Sequence, residues 1–384
     1  MGAAGIVPRP GPAGARLAAW LRGREFLDAV VLTSLIRVGL LAAAPLAVAI
    51  LGDERARARD LLQVWNSWDT PHYLAIAAGG YDPAGDPALV AFFPLLPILI
   101  KAGSAVAPPL IVGLLVSYLA TVAAAIGLHR LARLDGGSPV IARNAVLALN
   151  LAPTSFALVA AYTEPLLLAL VIWAFIRARR DDWLGAGVLG LLASLARFQG
   201  VLLLPALAVA AVARHGRLRW RMLPVLLVAA GPLIYLGLNW LAYGDPLFFV
   251  GVQETIFFHR AAPPWEVLGD LWRGVADARW DQHWAMVFVA PLVAFVILAA
   301  AFVWSLLSRR SQPSYAVYTG LTLLSLAMLT WPISMPRYLL GVFPLFLAVA
   351  GPARQRWIGI PLMAASVALL LVFLAQFALE AWAF

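Results

Sequence analysis

Residues 29–51 carry one charge, Arg37, and apolar stretches of similar length recur from there to the C-terminus. About 20 apolar residues in a helix cross the ~30 Å hydrocarbon core of a bilayer. A segment in lipid must satisfy its own backbone hydrogen bonds, which leaves helices or closed barrels. Helical runs on this scale constrain the chain to an all-α polytopic membrane protein. The residue balance agrees, with 63% hydrophobic and 12% charged residues, against about half and about a quarter in soluble domains. No internal repeat is evident, so residues 1–384 read as one domain.

Arg16, Arg22 and Arg24 precede the first apolar run, and "LAVA" near residue 48 resembles a signal-peptide cleavage site. The run from Ala29 to Leu51 exceeds the roughly 7–15 residues of a secretory apolar region. It therefore reads as an uncleaved first span with a cytoplasmic N-terminus. The absence of cysteine excludes disulfides and thiolate metal sites. Lys101 is the sole lysine, and the Arg and Ala richness is that of a high-GC bacterial genome.

The net charge of +9 does not imply nucleic acid, because the arginines fall in short clusters between spans. "HRLAR" (129–133), "RARR" (177–180), "RHGRLRWR" (214–221), "SRR" (308–310) and "RQR" (354–356) read as cytoplasmic under the positive-inside rule. They set the topology. A full span at 91–108 would push "HRLAR" outside, and its prolines oppose a straight helix. That segment is assigned to an interfacial helix on the outer face. Eleven spans follow, at about 29–51, 109–129, 144–161, 165–176, 183–196, 200–213, 222–241, 285–307, 314–330, 339–351 and 358–380. The C-terminus then lies outside, and the protein sits in the cell membrane.

The outer face collects Asp69, His72, Glu164, Asp245, Glu254, His259 and Arg337, with Arg197 at a short turn. The outer loop 242–284 adds Trp265, Trp272, Trp280 and Trp284. Within it Trp265, Leu268, Leu271, Trp272 and Val275 follow helical spacing, which predicts an amphipathic helix in the headgroup layer.

In "SWDTPHY", Thr70 and Pro71 read as N-cap and first helical position, and "GG" at 79–80 closes a short helix. Asp69 either decorates that helix start or binds substrate. Trp65, Trp68, His72 and Tyr73 crowd it in the manner of a sugar or lipid-headgroup site. His72 either orients a substrate or satisfies local polar groups. Glu164, in "YTEPLLLAL", is an acid between two apolar spans. An acid at a span's centre costs about 2.5–3.5 kcal/mol, which predicts a cavity there; the alternative is a helix-start acid after Thr163. Arg197 and Arg337 sit at outer span ends, as snorkelling structural groups or as phosphate ligands. Arg37 lies mid-span and must face the bundle; its role stays open, with a structural ion pair as the favoured reading.

No Asp-x-Asp pair, Walker loop, Gly-x-Gly-x-x-Gly after a strand or His-Glu-x-x-His occurs. No metal, nucleotide or other cofactor is therefore expected.

"WDTPHYLAIAAGGYD" followed by "AFFPLLP", then "YTEPLLLAL", "ARFQGVLLLP", "YGDPLFFVGVQ" and "SMPRYLLGVFPLF", resembles the second GPI mannosyltransferase (PIG-V) family and its bacterial relatives. The segments keep the family's order over residues 65–346. The sequence departs from the family at "RFQG", around Gln199. The resemblance implies the GT-C glycosyltransferase fold and inverting transfer of mannose from a polyprenyl-phosphate donor. The acceptor would be a glycolipid or another extracytoplasmic hydroxyl, since GPI anchors are not expected in bacteria. By position, Asp69 matches the catalytic base. Trp68, His72, Tyr73, Tyr162, Glu164, Asp245 and Gln253 are assigned to substrate, and Arg197, Arg337 and Tyr338 to the donor phosphate. Two other readings remain, a lipid-linked-substrate flippase and a GT-C enzyme moving a different sugar.

Overall fold

The computed structural model describes residues 12–57, 59–217, 219–277, 281 and 284–382; Trp280 lies outside them. Among the described residues the secondary structure is helical, apart from one isolated bridge between Ala261 and Leu329. The helices are α1 (Pro12–Leu51), α2 (Thr70–Gly79), α3 (Leu95–Gly103), α4 (Pro109–Leu134), α5 (Pro139–Asn150), α6 (Glu164–Ala178), α7 (Trp183–Ala196) and α8 (Leu203–His215). They continue as α9 (Leu227–Tyr243), α10 (Phe248–Thr255), α11 (Pro264–Ala276), α12 (Ala290–Leu307), α13 (Pro313–Ala327), α14 (Phe343–Ala350) and α15 (Arg356–Ala378).

Six helical segments are long and apolar enough to cross a membrane: Leu27–Leu51, Pro109–Leu134, Phe198–His215, Trp220–Tyr243, Ala285–Leu307 and Arg356–Ala378. These coincide with six of the eleven expected spans. The other five expectations fall on shorter helices, α5, α6, α7, α13 and α14. The span expected at 144–161 is not one helix. It stops at Asn150, before Pro153, and continues as a 3₁₀ turn over Ser155–Leu158. Proline lacks an N–H and disfavours helix at the residue before it, which explains the break. Residues 339–351 break in the same way, into a 3₁₀ turn at Leu339–Gly341 and α14 with Pro344 in its first turn. The segment assigned to the interface holds only the nine-residue α3, too short to span.

The centre of the bundle is α6, which is buried along nearly its whole length, from Glu164 to Ala178. It runs beside α4 in the same direction, with Thr121 Oγ1 donating to Leu158 O at 3.1 Å and Arg179 Nη2 donating to Leu134 O at 3.3 Å. On the other flank α7 packs closely against α9 and the 3₁₀ segment Trp220–Leu226 that leads into it. A Cβ on Gly187 would fall 2.0 Å from Pro224 O, so no larger residue fits. Small residues at such contacts are how apolar helices approach in lipid.

Arg37 is buried in the bundle, as expected, but its partners are not acids. Its Nη1 donates to Ser155 O at 2.5 Å and its Nη2 to Asn150 O at 2.6 Å. These carbonyls lie on either side of the break after α5, Asn150 at the helix end and Ser155 at the start of the 3₁₀ turn. The expected ion pair is thus replaced by backbone carbonyls on either side of Pro153.

At one end of the bundle two of the arginine clusters are tied down by acids. Arg214 grips Asp181 through Nε and Nη2, Arg177 meets Asp182 at 2.8 Å, and Arg179 meets Asp135 at 2.8 Å. At the opposite end lie the N-terminus of α6, the C-terminus of α7 and the segments holding Asp69 and Arg337. Helix α11 forms where the Trp and Leu spacing predicts it. Its apolar surface divides: Val267 and Leu271 pack inward, while Trp265 and Trp272 stay exposed.

Candidate active site

Four sequence motifs each deliver one charged group to the same place. Pro165, in the first turn of α6, fits a helix start, so Glu164 stands at its first position with Thr163 before it. Arg197 follows the last residue of α7 in an extended conformation before a 3₁₀ turn. Arg337 sits in the single helical turn Met335–Tyr338. Asp69 occupies the cap position of α2; the helix begins at Thr70, one residue before expected, and no side chain caps it. The closing glycine is as expected, with Gly80 at φ +77°. The Asp69 carboxylate turns away from its own helix.

It turns to Arg337. Asp69 Oδ2 lies 2.7 Å from Arg337 Nη1, and Arg337 Nε lies 3.0 Å from Glu164 Oε1. Arg197 Nη1 donates to the same Glu164 oxygen at 2.7 Å and to Thr163 Oγ1 at 3.3 Å. The groups form an alternating chain, Asp69–Arg337–Glu164–Arg197, whose formal charges cancel. The two inner members are sealed, with side-chain exposures of 4% for Arg337 and 2% for Glu164, whereas Asp69 is 26% exposed. The Arg337 nitrogens meet their acids at ion-pair distance but off the N–H axes, unlike the directed bond from Arg197. A buried ion pair offsets its desolvation only when well partnered. Here rings help: Arg337 lies 4.7 Å above Tyr162, and Arg197 lies 4.1 Å above Tyr338. Cation–π contacts reach about 2 kcal/mol when desolvated.

Around Asp69 the aromatic residues are held firmly. Trp68 adopts a left-handed backbone, φ 60°, and packs edge-on against Trp382. A positive φ is rare for a bulky residue and is kept only where the surroundings enforce it. His72 Nδ1 donates to Trp68 O at 3.1 Å, and its ring stacks on Phe92 at 4.5 Å. Tyr73 OH lies 3.3 Å from Thr163 Oγ1, which links α2 to the start of α6. Trp65 is fully buried against Phe377.

The structure therefore gathers Asp69, Tyr162, Glu164, Arg197, Arg337 and Tyr338 into one network, flanked by Trp68, His72 and Tyr73. Asp245 joins a local turn instead, accepting from Leu247 N at 2.8 Å. Gln253 Oε1 meets His259 Nδ1 at 2.7 Å. Thr163, Phe92 and Trp382 belong to the site surroundings but were not assigned from sequence. Thr163 and Phe92 lie inside quoted motifs, while Trp382 has no local signal.

The chain matches no protein-family model and no curated protein. The family resemblance rests on the ordered motifs alone, and the geometry above stands independently of it. Chemically, the arrangement offers one accessible carboxylate beside two arginines held by a buried acid. That set can accept a proton at Asp69 and bind an anion at the guanidinium groups.

Proposed function

We propose that this protein is an integral-membrane inverting glycosyltransferase. In this reading it moves mannose from a polyprenyl-phosphate donor to a hydroxyl of a glycolipid or another extracytoplasmic acceptor. One observation carries the reading: the carboxylate and the arginines that such a transfer needs converge from four distant motifs, with the carboxylate on the accessible side.

In the proposed step Asp69 takes the proton of the acceptor hydroxyl as its oxygen attacks the anomeric carbon. The bond from that carbon to the phosphate oxygen breaks, and the lipid phosphate leaves with the electron pair. Arg197 and Arg337 stabilise the charge that grows on it. A donor phosphate competes with the two acids for these guanidinium groups. As it draws Arg337 toward itself, Asp69 Oδ2 is freed to receive the proton. Trp68, which is only partly buried, offers a face against which a sugar packs.

We further assign the GT-C topology of eleven crossings, with the N-terminus in the cytoplasm and Asp69 on the extracytoplasmic side. The placement of the five basic clusters at the helix ends opposite Asp69 supports it. The five short helices complete the crossings as parts of the bundle interior; α6 is enclosed by protein rather than lipid.

The test incubates purified protein with polyprenyl-phosphate-mannose and glycolipid acceptors and reads products by mass spectrometry. Mannosylated acceptor that disappears with Asp69→Asn supports the reading. A flippase gives no product from either protein, and a different GT-C enzyme gives product only with another donor sugar.

A further inference from the structure

A cavity of about 500 Å³ opens among α10, α11 and the segment 330–333, just before the turn that carries Arg337. Ligand pockets typically enclose about 300–1,000 Å³. Its floor is apolar, with Val267 and Leu271 fully packed behind it. Its rim carries Phe258 and Trp331, both substantially exposed, and the carboxylates Glu254 and Asp270.

The two rim aromatics share an unusual backbone. Phe258 has φ 58° and Trp331 has φ 54°. Bulky residues seldom adopt this conformation, and it persists where neighbouring bonds enforce it. A lacing between the two loops does so. Thr330 N donates to Arg260 O at 2.9 Å, and Ala262 N donates to Met328 O at 2.9 Å. Thr330 Oγ1 donates to Phe258 O and accepts from Arg260 N, both at 2.8 Å. The lacing holds two exposed rings at the mouth of one cavity.

We propose that this cavity is a subsite for a neutral, polyhydroxylated headgroup. On the transferase reading given above, it holds the acceptor's sugar. Carboxylates accept hydrogen bonds from hydroxyls, and ring faces pack on the apolar side of a sugar. The charge balance excludes the donor phosphate. Glu254, Asp270 and the adjoining Glu266 outnumber Arg260 and Arg273, which are already held by Glu266 at 3.4 Å and by Asp270. The anion-binding groups are in the neighbouring chain of Arg197 and Arg337, so the two substrates are sorted by charge.

The test uses protein in phosphatidylcholine nanodiscs, free of sugar detergents, and a diazirine-bearing octyl α-mannoside as probe. Crosslinked peptides are mapped by mass spectrometry. Labelling should fall on segments 254–271 and 330–333 and drop at least tenfold with excess octyl mannoside. Octyl phosphate should not compete. Trp331→Gly removes the ring at a position whose backbone suits glycine, so this variant should keep or raise its melting temperature while losing the labelling. Glu254→Gln combined with Asp270→Asn should also lose it. Equal competition by octyl phosphate, labelling spread over lipid-facing helices, or unchanged labelling of Trp331→Gly would overturn the proposal. The assay needs no turnover. Labelling without sugar transfer leaves the subsite standing and the transferase reading fallen, and transfer without labelling does the reverse.

Discussion

Asp69 and Arg337 come from opposite ends of the sequence, yet Asp69 Oδ2 lies 2.7 Å from Arg337 Nη1. The pair is asymmetric. Its carboxylate is partly open while its guanidinium is sealed against Glu164 and Tyr162. From the open side the acid is met first, and only a group that penetrates further reaches the arginine.

Replacing Asp69 with Asn removes the proposed base but keeps the size. Because Asp69 caps nothing, α2 loses no cap bond. General-base catalysis is worth about 10²–10⁴-fold. Single-turnover transfer should therefore slow at least about a hundredfold, with donor binding retained. Wild-type rates from a folded Asp69→Asn protein would end the assignment.

Glu164 bridges both arginines from a buried position. Glu164→Ala leaves two charges without their shared partner, a change that costs about 3–5 kcal/mol in buried pairs. A large fall in thermal stability is expected, with Glu164→Gln falling less. Both variants melting with wild type would show that the chain contributes nothing to the fold.

Arg337→Lys keeps the charge but loses the fork that reaches Asp69 and Glu164 together. Donor affinity should weaken in Arg337→Lys and further in Arg337→Ala, and Arg197→Ala should weaken it too. Equilibrium binding of a polyprenyl phosphate measures this. Unchanged affinity in both alanine variants would return the arginines to a structural role.

His259 lies in the laced outer segment, and burial holds its imidazole below the ordinary value; a bond to the Trp331 backbone opposes this and the charge of Arg197 adds to it. The unfolded chain therefore takes the proton more readily than the folded one. The folded state keeps its full stability above about pH 6.5 and loses some as pH falls below that. His259→Gln should flatten the melting temperature between pH 7.5 and 5.5. An equally steep profile in the variant would assign the pH effect elsewhere.

Reporter fusions should place residues 214–221 in the cytoplasm, and residue 80 and the C-terminus outside. A cytoplasmic signal at residue 80 would remove the donor and acceptor from reach of Asp69.

The helical class and the charged residues that meet in the candidate site were legible because each rests on local chemistry. Long apolar runs dictate helices, and Thr163-Glu164-Pro165 dictates a helix start. Arg37 was legible as buried, but not its partners, since backbone carbonyls at a helix break carry no side-chain signal. The break after Asn150 was obscured because apolar character continues through it. The pairing of Asp69 with Arg337 depends on how distant helices pack, which no local pattern encodes. Trp265 and Trp272 announced their helix but not the split of its apolar surface, because periodicity does not distinguish protein from another apolar partner.

Arg37 also bears on the order in which the chain is made. Its carbonyl partners lie 113 and 118 residues downstream. During synthesis α1 emerges first, with a guanidinium in its apolar stretch and before the two carbonyls it pairs with in the folded protein. Until residues 150–155 follow, that helix remains poorly matched to lipid, and their arrival locks it in place. The first span is therefore a late-settling part of the bundle, and a fragment ending before residue 150 should leave it easier to extract than the whole chain does.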